Sequence, residues 1–350
     1  MCRYTGTSPL NNEAYPKVDK NNAGLTLRNE QVPGAQLTNH EELQKYLRAA
    51  TADNTRKTYQ SAIRQFEKWG GRLPTERETV VRYLLEKACA LNPRTLSLQL
   101  TAISQWHYYQ GFADPVRDPV VRKTLEGITR THAKPKQKAK ALRLEHIAQM
   151  TNYLRALPKS KQTSRDLALL LVGFFGAFRR SELVAIQLEH LVWEPEGLLV
   201  RLPRSKTDQS GSGLVRALPA SKNSSCCPVV ATKEWITIAN LTDGHLFRRV
   251  NRWGAVGDRP LAAGTVNERL KAIGEACGFD FVPDMSSHSL RRGLSTSAAR
   301  ERVDFALIKK QGGWRSDSTV WEYIEEGQQF DENAANILLE KMARLVSVEN

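Results

Sequence analysis

Leu167-Ala-Leu-Leu-Leu-Val-Gly-Phe-Phe-Gly-Ala-Phe178-Arg179-Arg180-Ser181-Glu182-Leu183 is the stretch on which the reading of this 350-residue chain turns. Its apolar run is shorter than the about 18 residues a membrane helix needs, and it ends on two arginines. A helix is expected over 164–175, with helical structure continuing over 182–190. Arg179 and Glu182, three apart, fall on one helical face. His288-Ser-Leu-Arg291-Arg-Gly repeats that spacing with a histidine and an arginine. Gly312-Gly313-Trp314 follows, and Tyr323 lies nine residues beyond the tryptophan. Two arginines can grip both non-bridging oxygens of a phosphodiester and stabilise the added charge of a pentavalent transition state. A tyrosine can attack the phosphorus and form a covalent ester. With a free pKa near 10, only about one phenol in a thousand is ionised at neutral pH, so neighbouring cations or a base must help. Lys206 lies in Pro203-Arg-Ser-Lys206-Thr-Asp, between expected hairpin strands over 198–202 and 214–218, where it could protonate a leaving 5′ oxygen.

The set Arg179, Lys206, His288, Arg291, Trp314 and Tyr323, in that order, resembles the tyrosine recombinase (phage integrase) family. Taken singly, Arg179 beside Glu182 is an ordinary helix ion pair, and Lys206 a solvated loop cation. Six positions in order, each in the expected local context, carry the resemblance, which covers roughly residues 38–345. It implies a mainly α chain of two domains: a helical, SAM-like core-binding domain and an α+β catalytic domain with a small β-sheet. It implies that Arg179 and Arg291 clamp the scissile phosphate and that Tyr323 is the nucleophile. Lys206 would be the general acid, His288 would assist proton transfer or bond the phosphate, and Glu182 would orient its neighbours. Most of the family carries histidine where Trp314 stands; the indole can donate a hydrogen bond but cannot accept a proton, which leaves any base function to His288. The ester conserves bond energy, so neither metal nor ATP is expected.

Other chemistries have no foothold. The chain lacks a phosphate-binding P-loop, a G-x-G-x-x-G fingerprint, a His-Glu-x-x-His helix and a G-x-S-x-G elbow, and so offers no evident nucleotide or metal site. Its five cysteines, Cys2, Cys89, Cys226, Cys227 and Cys277, have no metal-finger spacing and read as reduced thiols of a bacterial cytoplasm. Charge is more telling: 51 Lys plus Arg against 37 Asp plus Glu leave a formal net charge of +14. That excess points to a polyanion, nucleic acid first and an anionic membrane surface second. No basic amphipathic helix favours the membrane.

Working outward, residues 1–37 read as a flexible tail and 38–131 as an all-helical unit. In it, helices are expected over 41–50, from an Asp53 N-cap to Gly70, from Thr75 to Cys89, from about Arg94 to Tyr109, and after Asp118-Pro119. Residues 132–141, with Lys134, Lys136 and Lys138 and no large apolar side chain, read as an extended basic linker that could strap a phosphate backbone. The catalytic unit is expected over 142–350, mostly helical apart from the hairpin. By resemblance, Asn54, Arg56, Lys57, Arg94 and Thr95 would line double-stranded DNA, and Arg248, with Arg249 and Arg252, would run along it. The last helix carries Ala334, Ile337, Leu338, Met342 and Leu345 on one stripe; in the family such a helix commonly docks into the next subunit, closing a tetramer on paired inverted-repeat core sites. An accessory or directionality protein is a further candidate partner. Two rivals share the scaffold: a type IB topoisomerase-like nickase and a non-catalytic DNA-binding protein. The intact constellation argues against the second, the clamp domain and terminal helix against the first.

Overall fold

The computed structural model describes residues 50–135, 137–203, 213–328 and 334–346, with Glu42 and Tyr46. Two compact units divide at 136/137. The expected tail, most of the 41–50 helix, Lys136 and the Lys206 loop lie outside the described residues.

The first unit is helical: α1 (Asp53–Trp69), α2 (Arg77–Lys87), α3 (Pro93–Gln110) and α4 (Pro119–His132). Short-range chemistry sets its boundaries. Asn92 and Asp118 each cap a helix, accepting the N–H of Arg94 and Val120, and each is followed by a proline at the first helical position, where no N–H is needed. Gly70 and Gly111 end α1 and α3 in the left-handed conformation. Ile63, Phe66, Val80, Tyr83, Leu84, Leu96, Leu100, Ile103 and Val121 fill the core. Each such side chain contributes about 1.5–3 kcal/mol of burial. Two starts differ from expectation. Asp53 is not the cap of α1; Ala52 holds that position, and Asp53 pairs with Arg56 from the first turn. Helix α2 begins at Arg77 rather than Thr75, whose N–H donates to His107 Nε2 at 3.0 Å.

The second unit is built around α6 (Lys161–Phe175), which follows α5 (Leu144–Ala156). Ser160 caps α6 by accepting the Thr163 N–H, while the Thr163 hydroxyl accepts the Ser160 N–H. From Ser164 to Phe174 every residue of α6 is buried: Arg165 and Asp166 as an ion pair, and the run from Leu167 onward as the apolar centre of the core. After α7 (Arg180–Ala185) come β1 (Leu191–Glu194), β2 (Gly197–Leu202) and β3 (Leu214–Pro219), an antiparallel sheet in that order. The expected hairpin is present, with Leu202 paired to Leu214 at the mouth of the loop. Helix α8 (Pro228–Ala239) packs on α6; β4 (Arg248–Val250) and β5 (Val256–Pro260) form a separate two-stranded sheet. Helices α9 (Ala263–Ala276), α10 (Ser287–Arg300), α11 (Phe305–Gly312), α12 (Asp317–Gln328) and α13 (Ala334–Val346) complete it.

The helix expected over 182–190 stops at Ala185 and gives way to a 3₁₀ turn, Leu188–His190. Backbone bonds from Leu188 N–H to Gly244 O and from Leu246 N–H to Ile186 O capture the chain there. Strands β1, β4 and β5 fall where no strand was expected; they are only 4, 3 and 5 residues long, too short to show a clear alternation, and each pairs with its neighbour in the chain.

Candidate active site

The apolar run of α6 ends at Gly176, where a Cβ would meet the Phe178 ring at 2.2 Å and Val172 O at 2.8 Å. Ala177 then takes φ +45, an uncommon left-handed conformation for a residue with a side chain. That reversal aims the Ala177 carbonyl at the second cluster, where it accepts from Arg291 Nη1. It also places Arg179 just before α7 rather than on its face. Arg179 is held by Glu182 twice: its N–H reaches Oε2 at 2.9 Å and its Nη1 reaches Oε1 at 2.7 Å. Glu182 is 4% exposed, so this carboxylate both caps the helix and fixes the guanidinium.

Helix α10 supplies the second cluster. Ser286 caps it by accepting the His288 N–H. Gly293 is required because a Cβ there would stand 1.8 Å from Leu142 O. The Leu142 N–H donates to Ser289 O, which brings the 140–142 segment against the helix. Arg291 is buried, and its guanidinium carbon lies 4.2 Å from the centre of the Trp314 ring. Burial, with repulsion from Arg179, lowers Arg291 to about 10, so it remains cationic at neutral pH. Tyr323, on α12, packs its ring 5.3 Å from that of Trp314. Its hydroxyl lies 3.5 Å from His288 Nε2. Burial pushes the phenol above its ordinary value, and the charges of Arg291 and Arg292 pull the other way. The structure thus brings Arg179, Glu182, Arg291, Trp314, His288 and Tyr323 together. Lys206 lies outside the described residues.

Arg292 is buried behind the tyrosine rather than on the surface. It pairs with Glu326, and its guanidinium carbon stands 6.0 Å from the Tyr323 ring. Lys138 pairs with Glu322, the residue before the tyrosine, at 2.9 Å. Arg248 corrects the expectation that it runs along DNA: its Nε donates to His245 O, its Nη2 to Asp243 O, and the residue is 8% exposed. Arg249 and Arg252 are exposed. In the first unit Asn54, Lys57 and Arg94 are exposed, Thr95 and Arg56 are half-buried, and Arg56 is paired with Asp53; Lys134 is also exposed.

Sequence reasoning passed over Arg216. It sits on β3 with Leu214 and Leu218 on the same face, and the alternation of that strand turns it inward. The signal was present: an arginine at a core-facing position of an otherwise apolar strand. No group of metal-ligating side chains occurs among the described residues.

The sequence pattern of the phage integrase family matches residues 140–329. An integrase/recombinase, a XerD homologue of Selenomonas ruminantium, is 34% identical over 325 residues, covering 89% of this chain and 94% of that protein. The XerH site-specific recombinase in a post-cleavage complex on its palindromic difH substrate aligns with a TM-score of 0.57 at 18% identity, over 85% of this chain and 83% of that one. The Tn1549 transposon integrase bound to transposon right-end DNA aligns with a TM-score of 0.55 at 15% identity, over 87% and 98%.

Proposed function

The chain belongs to the phage integrase family, the tyrosine site-specific recombinases, and from that premise we propose how its own residues break and rejoin DNA. Arg179 and Arg291 bind the two non-bridging oxygens of the scissile phosphate. Tyr323 Oη attacks the phosphorus, its proton passing to His288; the phosphorus–O5′ bond breaks, leaving a 3′-phosphotyrosyl ester and a 5′ hydroxyl. Lys206 donates the proton that the 5′ oxygen needs to leave. The Trp314 indole N–H donates to a phosphate oxygen, and Glu182 keeps Arg179 in place. Attack by a 5′ hydroxyl from the partner duplex reverses the step and exchanges strands, through a Holliday junction, with no external energy source. The observation that carries this reading is the contact set at Tyr323: a buried phenol with a histidine nitrogen at its hydroxyl and an arginine-stacked tryptophan at its ring.

The partner is double-stranded DNA carrying paired inverted-repeat core sites. The exposed Asn54, Lys57, Arg94 and Lys134, with Thr95 and Arg56, position its backbone. Two residues of the basic linker, Lys136 and Lys138, join them. Ile337, Leu338, Met342 and Leu345 of α13 are all exposed. Such a stripe is matched to a neighbouring subunit of a tetramer formed on DNA. Among the described residues no helix is long and apolar enough to cross a membrane. The biological task is integration, excision or resolution of a mobile element.

The test is to trap the covalent intermediate. Purified protein is mixed with a nicked duplex made from the repeats flanking its own gene, and wild type and Tyr323→Phe are compared on SDS gels with a gel shift alongside. An adduct in wild type that vanishes in the variant, with binding kept, is the expected result. Binding without an adduct in wild type overturns the assignment.

A further inference from the structure

We infer that Arg216 is a positioning residue for strand cleavage, a third buried guanidinium that steadies the turn carrying Trp314 and holds its charge within reach of the Arg179–Arg291 pair. The inference rests on the recombinase reading above.

Arg216 is 4% exposed. Its Nη1 donates to Val215 O at 3.2 Å and, across to the end of α11, to Lys310 O at 3.3 Å. Its Nε and Nη2 are buried and have no hydrogen-bond partner among the described residues. Nor does any described carboxylate lie within ion-pair distance of it. Two carbonyl contacts on one nitrogen do not repay the desolvation of a buried guanidinium, so its retention calls for a use outside the resting fold.

The surroundings say what that use is. The charges that act on Arg216 are Glu182, which attracts it, and Arg179, which repels it; Arg216 in turn repels Arg291. Glu182 is already engaged on both oxygens by Arg179. Three guanidiniums therefore face one carboxylate, and the cluster carries two positive charges in excess. A phosphodiester brings one negative charge and its pentavalent transition state two. Arg179, Arg291 and Glu182 alone would match the bound diester; with Arg216 the cluster matches the transition state. A cation matched to charge that develops only during reaction raises rate more than affinity. Burial brings Arg216 to about 10, leaving it protonated at neutral pH.

Position and charge come together at Gly313. This residue ends α11 at φ +60, and a Cβ on it would stand 2.0 Å from Arg216 Nη2. Beside it, a Cβ on Gly312 would strike the Trp314 ring at 1.5 Å. The Gly312-Gly313 turn thus fits between the guanidinium and the indole. Gln311 Nε2 adds bonds to Ala217 O at 3.1 Å and to Phe175 O at 2.6 Å. The strand after the Lys206 loop, the end of α6 and the Trp314 turn are joined at this one place.

The experiment measures single-turnover cleavage of the nicked duplex by the full chain, with either a phosphate or a charge-neutral methylphosphonate at the scissile position. Arg216→Met is expected to slow cleavage of the phosphate by about 30-fold while DNA affinity stays within about threefold. Arg216→Lys is expected to recover to within about fivefold of wild type, since it keeps the charge. On the methylphosphonate, the gap between wild type and Arg216→Met should close to about threefold, because one negative charge has been removed from the reaction. Equal losses on both substrates would assign Arg216 a merely structural role and overturn the inference, as would unchanged cleavage by Arg216→Met. If Arg216→Met does not fold, Arg216→Lys decides: near-wild-type cleavage of the phosphate supports the inference, and an equal loss on both substrates sinks it. A wild-type protein that forms no adduct is a different failure, that of the recombinase assignment, and removes the inference with it.

Discussion

In the first unit the buried Tyr83 hydroxyl donates to Gln99 Oε1 at 2.9 Å, and Gln99 Nε2 donates to Gln65 Oε1 at 2.7 Å. His107, fully buried, accepts the Thr75 N–H at Nε2, which leaves Nδ1 to donate to Ile103 O. In the second unit, Arg216, Arg291 and Arg292 bury N–H groups that nothing described accepts. Every buried side-chain nitrogen or oxygen without a partner among the described residues lies in that second unit, and four of the six are on these three arginines. The first unit meets its polar requirements internally, as a scaffold must. The second leaves donors and positive charge unmet around one tyrosine, an arrangement that an incoming anion completes. Polar burial that would be a flaw in a scaffold is, beside Tyr323, a site prepared before its substrate arrives.

That contrast predicts opposite consequences for removing a buried polar group. Arg291→Met is expected to lower single-turnover cleavage by about 10²–10³-fold, with thermal unfolding within about 1 kcal/mol of wild type. A loss of stability as large as the loss of rate would erase the distinction between the units. Gln99→Leu reverses the pattern. It strands the buried Tyr83 hydroxyl, and should cost about 1–3 kcal/mol in urea unfolding while cleavage by the folded protein is unchanged.

Arg292→Met sharpens the comparison within the site. The arginine favours ionised Tyr323, whereas Glu326, its partner, opposes ionisation. Without Arg292 the phenol moves up, so the pH–rate profile of cleavage should shift toward higher pH, and the rate at neutral pH should fall. A profile that stays in place would show that Arg292 only anchors α12. The smallest effect lies away from the chemistry. His146 packs against Phe279 and Phe281 and accepts the Arg143 N–H at Nδ1. Burial, aided by Arg143 and Lys140, holds it below its ordinary value of 6.5. A folded-state value below the unfolded one means that its contribution is present above 6.5 and is lost as pH falls below it. The Tm difference between wild type and His146→Gln should therefore narrow between about pH 7.5 and 5.5.

Which parts were legible follows from the range of the forces involved. Asp118-Pro119 starts a helix through a bond that spans two residues, so the sequence displays it openly. The β2–β3 hairpin was legible for a different reason, its two apolar six-residue strands, whereas β4 and β5, 3 and 5 residues long, depend on a pairing with a register shift that no local pattern announces. Arg179 and Glu182 were recognisable as a pair, yet their geometry was not. The expected helical face is in fact a cap, created by the left-handed Ala177 and by Arg291 bonding its carbonyl from 114 residues away. Arg248 read as a surface cation because nothing nearby in sequence shows the carbonyls of Asp243 and His245 turned toward its side chain.

By itself the sequence determined the chemistry available to this protein: which residues could hold a phosphate, which could attack it, and that the chain carries the charge to approach a polyanion. Those properties belong to side chains one at a time, and their order along the chain survives without coordinates. Only the tertiary structure decided which charges are taken out of water and which are left without partners. Arg248 and Arg216 are both arginines on strands of the same unit, yet one spends its donors on local carbonyls and the other keeps two in reserve. Desolvation and pairing depend on what packs from distant parts of the chain, and that is where a surface cation, a structural one and one held for a reacting phosphate become different things.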